Sequence, residues 1–302
     1  MITEAEKTYA FAAIILELLF GTLVCCVSLV TLVGYYKLRS WEKPSGLIVI
    51  NMLLADFMNG TVGPMQAAYL HCLLHEIKAP DLFRTIFFLQ SWFLWISLLL
   101  IVLLNISRLI AIIIPFHYST IVTMTSIQSM VAVFWITGFV YSMLKRYVDN
   151  FASYKYYVAG VIFHLVLDVM VFGLALLTLL FLRSPVSTEV SLHRINATKT
   201  VLYVSCAFFL SYGFYIYVNV VWMIPGLAEN TTNEFLIFTA IGKWSLSLAH
   251  IFLLINSLFN GFMFGRQPHV RAAIENIWMS NYYRYNILTN HQGNQAVSIP
   301  TQ

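Results

Sequence analysis

Charged residues are scarce in this chain. Asp, Glu, Lys and Arg together make up 10% of its 302 residues, whereas they make up about 25% of an average soluble domain. Hydrophobic residues make up 60%, so too few polar side chains exist to cover a folded surface in water. The composition excludes an ordinary soluble domain and predicts that a lipid bilayer surrounds most of the protein.

Motifs of enzymes and of nucleic-acid-binding proteins are missing as well. The chain contains no phosphate-binding loop and no HExxH, paired CxxC or GxSxG pattern. Its net charge of +4 is not gathered into a Lys or Arg cluster that would bind phosphates. We therefore expect neither an enzyme nor a nucleic-acid-binding protein.

Cysteine and proline are rare too. Cys25, Cys26 and Cys206 lie in apolar runs, and adjacent cysteines on a helix cannot bond each other. Cys72 has no partner, so we predict no structural disulfide. Only Pro64 of the eight prolines falls inside a predicted span, so the last three spans lack proline kinks. Glycines in these spans either bend the helix or mark close packing: Gly173, Gly213 and Gly261.

Seven mainly apolar runs reach the length of about 20 residues that a bilayer requires. They lack the alternation of membrane strands, so we predict helices. The first run follows acidic residues and is too long for a signal peptide. The predicted fold class is an all-α membrane protein, a seven-transmembrane helix bundle with a short amphipathic eighth helix. We place the spans near Tyr9–Tyr36, Ser45–Leu70, Leu82–Ile114, Ser126–Leu144, Tyr156–Arg183, Thr198–Ile224 and Phe235–Phe264.

Basic residues predict the orientation. With the N-terminus outside the cell, ten of the 17 Lys and Arg residues lie on the cytoplasmic side, as the positive-inside rule requires. Asn230 then begins an extracellular Asn-Thr-Thr glycosylation motif. We expect a plasma-membrane protein with an extracellular N-terminus at 1–8, a receptor domain at 9–265, a membrane-surface helix at 266–279 and a disordered cytoplasmic tail at 280–302.

The surface helix follows the last span directly. Val270, Ile274, Ile277 and Trp278 form one apolar side of the segment. Such an amphipathic helix lies on the membrane with this side in the lipid.

Two groups of polar residues fall inside the spans. Asp56 lies in the second span, and Asn256, Ser257 and Asn260 lie in the seventh. Asn256 and Asn260 are four positions apart and share a helix face. These residues either form a hydrogen-bond network that packs the helices or hold a small cation such as sodium near Asp56. We predict no other cofactor.

The second group is in the fifth span. His164 and Asp168 are also four positions apart on one face. A pair of this kind inside a membrane is a candidate proton relay or ligand site. The alternative is a pair in which each side chain satisfies the other.

Taken in order, several short motifs resemble one receptor family. Leu-Ala-Asp ends at Asp56, and an Arg-x-x-Ala-Ile-x-x-Pro-x-x-Tyr pattern begins at Arg108. Trp135 lies in the fourth span, and Asn-Ser-x-x-Asn runs from Asn256 to Asn260. Over about residues 20 to 275 the chain resembles a divergent rhodopsin-like, or class A, G-protein-coupled receptor.

Departures from the family pattern cluster at its switch positions. The family's arginine usually follows an acid and precedes an aromatic residue, but Arg108 lies between Ser107 and Leu109. That acid normally holds the arginine inactive, so its replacement by Ser107 predicts raised basal activity. In the seventh span Gly261 replaces the family's proline. By the resemblance, the G-protein-coupling residues are Ser107, Arg108, Leu109, Asn260 and Phe264.

The resemblance also implies a ligand pocket in the outer half of the bundle. Gln90 stands where amine receptors carry an aspartate, which argues against a charged monoamine. Leu254 stands where light-sensing members carry their retinal lysine. His250 either contacts ligand or forms a hydrogen bond that packs helices. The predicted pocket residues are Gln90, Ser91, Leu94, His164, Asp168, Tyr212, Tyr215, Asn219 and His250, with Leu246 beside them.

These features imply a receptor that passes an extracellular signal, from a small molecule or a peptide, to a heterotrimeric G protein. One alternative is a receptor-like protein that no longer signals, which the replacements at Ser107, Phe214 and Gly261 favour. A transporter or channel is the other alternative, with an ion path through Asp56, His164 and Asp168. The internal repeats and broken helices expected of a transporter are missing.

Overall fold

Long helices make up the computed structural model, which describes residues 4–148, 154–182, 192–227 and 234–277. No strand occurs in these ranges. The helices are α1 Glu4–Lys37, α2 Pro44–Leu74, α3 Pro80–Ile113, α4 Met124–Val148, α5 Tyr154–Leu182, α6 Leu192–Leu227, α7 Glu234–Gly265 and α8 at 268–277.

Membrane-crossing length and composition are met by seven helices of the described chain. The predicted seven-helix, all-α membrane fold is thereby confirmed, and the chain is a multi-pass membrane protein. Several helices run past the predicted spans, because backbone hydrogen bonding continues where polar side chains begin. α6, for example, extends to Leu227 and so takes in Pro225, which was expected to lie outside the span.

The helices form a ring around α3. α1 packs against α2 and α7, α6 packs against α5 and α7, and α3 contacts α2, α4, α5 and α6. Trp135 ties α4 to α2 by donating from Nε1 to Oδ1 of Asn51 at 3.0 Å. We call the end where α1 begins the N-terminal face and the end where α7 finishes the C-terminal face.

The sequence of α3 explains its central position. A helix that is apolar on every side has no face to give to water and is buried. α3 has such a sequence near its middle, where consecutive residues are buried on all sides. α5 instead has a single buried stripe at helical spacing, and the other side chains described on it, from residue 161 onward, are exposed or half-buried. The stripe consists of His164, Asp168, Val171, Ala175 and Thr178.

Glycine lets α1 and α2 approach at backbone distance. A Cβ built on Gly63 would lie 2.8 Å from the carbonyl oxygen of Glu17, and one on Gly21 would lie 2.8 Å from that of Gly60. Close approach through small residues is a common way to pack helices in lipid, because the hydrophobic effect does not drive helices together there. Gly173 has no neighbouring atom within 4 Å at its Cβ position, so it does not mark such packing.

α8 lies against the bundle. Val270 is fully buried, and side-chain atoms of Val270 and Ile274 approach within 3.0 Å of a Cβ built on Gly34 of α1. Part of the apolar side of this helix, at Val270, therefore packs on α1, because Gly34 leaves room for it there. Trp278 and the predicted tail lie outside the described residues.

Candidate functional site

Asp56 joins α2 to α7. It is 1% exposed, and both of its carboxylate oxygens accept hydrogen bonds. Ser257 Oγ donates to Oδ1 at 2.7 Å, and Asn260 Nδ2 donates to Oδ2 at 3.1 Å. The structure thus brings together three of the four residues predicted to form this network.

Several oxygens in the same region have no hydrogen-bond partner. Asn256, the fourth predicted residue, is buried, but its Oδ1 has no partner; the same is true of Oδ1 of Asn260 and Oδ1 of Asn59. Carboxylate and amide oxygens are the ligands that hard cations prefer. The donor set around Asp56 therefore fits sodium, which Asp56 would neutralise, and equally fits ordered water.

A second buried carboxylate, Glu17, joins α1 to α7. Its exposed fraction is 0%, and its Oε2 lies 2.8 Å from Nδ1 of His250, forming an ion pair when the imidazole is protonated. Ser247 Oγ donates to Oε1 at 3.2 Å. His250 thus makes a hydrogen bond between helices, as one of the two predicted alternatives has it, and its Nε2 is buried without a partner.

Glu17 is absent from the residues predicted above, although the sequence contains a signal for it. It is the only acid between Tyr9 and Tyr36. An ionisable residue deep in an apolar run is costly unless it has a partner. Its partner lies 233 positions away, so only the packing of α1 on α7 reveals which residue that is.

Arg108 lies at the C-terminal face, near the end of α3. Its Nε is buried without a hydrogen-bond partner, and among the described residues it forms no ion pair. Tyr35 and Tyr118 are close enough to interact with it electrostatically. Ser107 Oγ lies 3.0 Å from the hydroxyl of Tyr118, in the short helix Tyr118–Ile121 that follows α3.

One turn before Arg108, a polar contact ties α3 to α6. Asn105 Nδ2 donates to Ser205 Oγ at 2.8 Å, and the same hydroxyl lies 3.2 Å from Asn105 Oδ1. Both residues are fully buried. Any separation of α6 from α3 at this end must break this contact.

The pair His164 and Asp168 lies at an aromatic cluster formed by α3, α4, α5 and α6. We call this cluster the aromatic box and define it by Trp95, Tyr141, His164 and Tyr212. The ring centroids of Trp95 and His164 are 5.6 Å apart, and those of His164 and Tyr212 are 5.9 Å apart. Oδ1 of Asp168 is buried without a partner, so mutual satisfaction with His164 does not reach this oxygen.

Four of the remaining predicted pocket residues are buried. Gln90, Ser91 and Leu94 are buried on α3, and Tyr215 is buried beside Tyr212 with ring centroids 5.6 Å apart. Of the switch residues, Phe264 is buried and Leu109 is half-buried. The side chains of Asn219 and Leu246, and the whole of Asn230, lie outside the described residues.

Comparison with known proteins adds no relative. No protein-family model matches the chain, and no curated protein matches it significantly.

Proposed function

We propose that the protein is a plasma-membrane receptor of the rhodopsin-like, G-protein-coupled class, with its N-terminus outside the cell. A ligand bound in the outer half of the bundle shifts a two-state arrangement of helices, and the cytoplasmic face around Arg108 engages a heterotrimeric G protein. The observation that carries the proposal is the state of Arg108. It is a charged side chain at the end of the central helix whose buried Nε has no partner.

The position of α3 supports a path from ligand to Arg108. This helix runs from one face to the other and contacts four neighbours. It reaches the aromatic box through Trp95 and the C-terminal face through Arg108, so a shift at one end changes the packing at the other. The contact between Asn105 and Ser205 lies between these two points and links α3 to α6.

The surroundings of Arg108 support raised basal activity. Where the family carries an acid, Ser107 contacts Tyr118. A hydroxyl holds a guanidinium less strongly than a carboxylate does. Less free energy therefore separates the resting arrangement from one in which Arg108 contacts a partner protein.

Basal nucleotide exchange tests the proposal without a known ligand. The full chain is reconstituted in lipid nanodiscs with a panel of heterotrimeric G proteins, and GTP-analogue uptake is measured. We expect uptake above the receptor-free level, loss of this uptake in Arg108→Ala, and reduced uptake in Ser107→Asp, which restores the acid. Arg84→Ala is the matched control, because Arg84 lies near the other end of α3 and is half exposed.

Unchanged exchange in Arg108→Ala would overturn the assignment of Arg108. Exchange no higher in the wild type than in Ser107→Asp would contradict raised basal activity. Absence of exchange with every G protein would favour the receptor-like protein that does not signal, which Phe214 and Gly261 already suggest by replacing family prolines.

A further inference from the structure

The aromatic box packs around a buried acid. Trp95 stacks on Tyr141 with ring centroids 4.4 Å apart and lies edge-on to His164. His164 in turn stacks on Tyr212. Phe163 also stacks on Trp95 and Phe208 also stacks on Tyr212, so other rings cover these faces, and the polar atoms of the cluster are what a ligand can reach.

Buried polar atoms of the same residues lack partners. Tyr212 is 0% exposed and Asp168 is 1% exposed, yet the hydroxyl of Tyr212, Oδ1 of Asp168 and Nε1 of Trp95 have no hydrogen-bond partner. Buried polar groups are nearly always hydrogen-bonded, because leaving one unsatisfied is costly. Oδ1 of Asp168 and the hydroxyl oxygen of Tyr212 can both accept from a bound donor, whereas the indole N–H of Trp95 can only donate. The two acceptors indicate that a donor absent from the chain itself satisfies them.

Asp168 brings negative charge to this place. It lies one helical turn from His164 on the buried stripe of α5 and interacts electrostatically with Tyr212. A Cβ built on Gly213 of α6 would lie 3.7 Å from its Oδ2, so the carboxylate reaches the seam between α5 and α6. No Lys or Arg among the described residues forms an ion pair with it.

We propose that the aromatic box and Asp168 bind a ligand with a positively charged amine. The ammonium group pairs with Asp168 and donates to the hydroxyl oxygen of Tyr212, next to the ring of His164 that stacks on Tyr212. This inference rests on the proposed function, since it names the chemical class of signal that the receptor takes. The glutamine at position 90 argued against a monoamine only because it removes the acid from α3, and Asp168 supplies one from α5.

Binding to the full chain in nanodiscs tests the proposal directly. The probes are phenethylamine, tetramethylammonium and N-acetylphenethylamine, of which the last has the same ring as the first but no charge. We expect at least one cation to bind and N-acetylphenethylamine not to bind. Asp168→Asn should weaken cation binding at least about tenfold, because truncating one side of a buried charge pair removes most of its coupling. Asp81→Asn is the control, since its carboxylate is exposed at the N-terminal face of α3.

Two further variants keep the test decisive if Asp168→Asn fails to fold. Tyr212→Phe removes only the hydroxyl and should weaken binding several-fold. Trp95→Leu should also weaken binding, because it removes the ring that packs edge-on against His164. The proposal is overturned if neither cation binds, if the acetylated probe binds as tightly as phenethylamine, or if every folded variant binds as the wild type does. Satisfaction of these polar atoms by water alone would give the first of these results.

The binding experiment and the exchange experiment can fail separately. Arg108→Ala lies far along α3 from the aromatic box and should keep cation binding while losing exchange. If the wild type and Arg108→Ala both bind the cation but neither activates a G protein, the signalling proposal is rejected and the ligand site is kept. A chain that activates G proteins without binding either cation would do the reverse.

Discussion

The buried carboxylates of this bundle are treated in two different ways. On the side formed by α1, α2 and α7, all four oxygens of Glu17 and Asp56 have hydrogen-bonding neighbours on α7. On the side formed by α3, α5 and α6, Asp168 has an oxygen with no partner, and the hydroxyl of Tyr212 nearby has none either. All three acids are nearly fully buried.

Among the carboxylates, the difference separates structural ties from a candidate binding site, although amide oxygens of Asn59, Asn256 and Asn260 on the first side also lack partners. A carboxylate whose partners come from a second helix fixes how the two helices pack, and its loss is felt as instability. A buried carboxylate without a full set of hydrogen-bond partners lowers the stability of the unliganded protein. Such a cost is tolerated where function, such as ligand binding, depends on it. We therefore expect the α1, α2 and α7 side to act as the scaffold and the α5 and α6 side to respond to ligand.

The largest expected effect comes from breaking the tie between α1 and α7. Glu17→Ala leaves His250 buried without its carboxylate, so we expect a loss of roughly 3–5 kcal/mol in the free energy of unfolding. Thermal unfolding in detergent, followed by helical circular dichroism, measures it. Glu275→Ala is the control, because its ion pair with Arg271 at 2.7 Å is exposed and such pairs contribute little. Similar unfolding temperatures for the two variants would remove Glu17 from the scaffold.

An intermediate effect is expected where α1 and α2 touch through glycine. The methyl group of Gly63→Ala would overlap the backbone of α1 at Glu17, and overpacking of this kind costs about 1–3 kcal/mol. Because the overlap displaces Glu17 itself, the variant also tests whether the scaffold side is as tightly packed as the geometry indicates. Gly173→Ala on α5 should leave the unfolding temperature unchanged, since its position is open. Equal destabilisation by both substitutions would contradict this picture.

The smallest expected effect concerns stability on the other side. Asp168→Asn keeps the shape of the side chain and removes an incompletely satisfied charge, so the unliganded protein should change by less than about 1 kcal/mol, or gain stability. Glu17→Gln, the same change in the scaffold, should lower the unfolding temperature clearly. The comparison between the two sides breaks down if Asp168→Asn destabilises the protein as much as Glu17→Gln does.

The sequence predicted that certain buried residues are polar, but it predicted their hydrogen-bonding partners only in part. Asp56 was expected to meet Ser257 and Asn260 because all three are polar in apolar spans, and the structure places them in contact. His250 was left open between ligand contact and helix packing, and Glu17 was not predicted. Both uncertainties have one cause, since a polar residue in lipid requires a partner but its own sequence position does not name that partner.

The helices themselves follow from local chemistry. A backbone in lipid must satisfy its hydrogen bonds within the segment, so seven long apolar runs already specify seven membrane helices, and the scarcity of charge specifies their solvent. The rotation and contacts of those helices depend on packing between distant segments. That packing buries Glu17 against His250, leaves Arg108 without an acid, and places Asp168 beside the aromatic box. None of these three arrangements can be predicted from a single span, because each depends on residues of different helices.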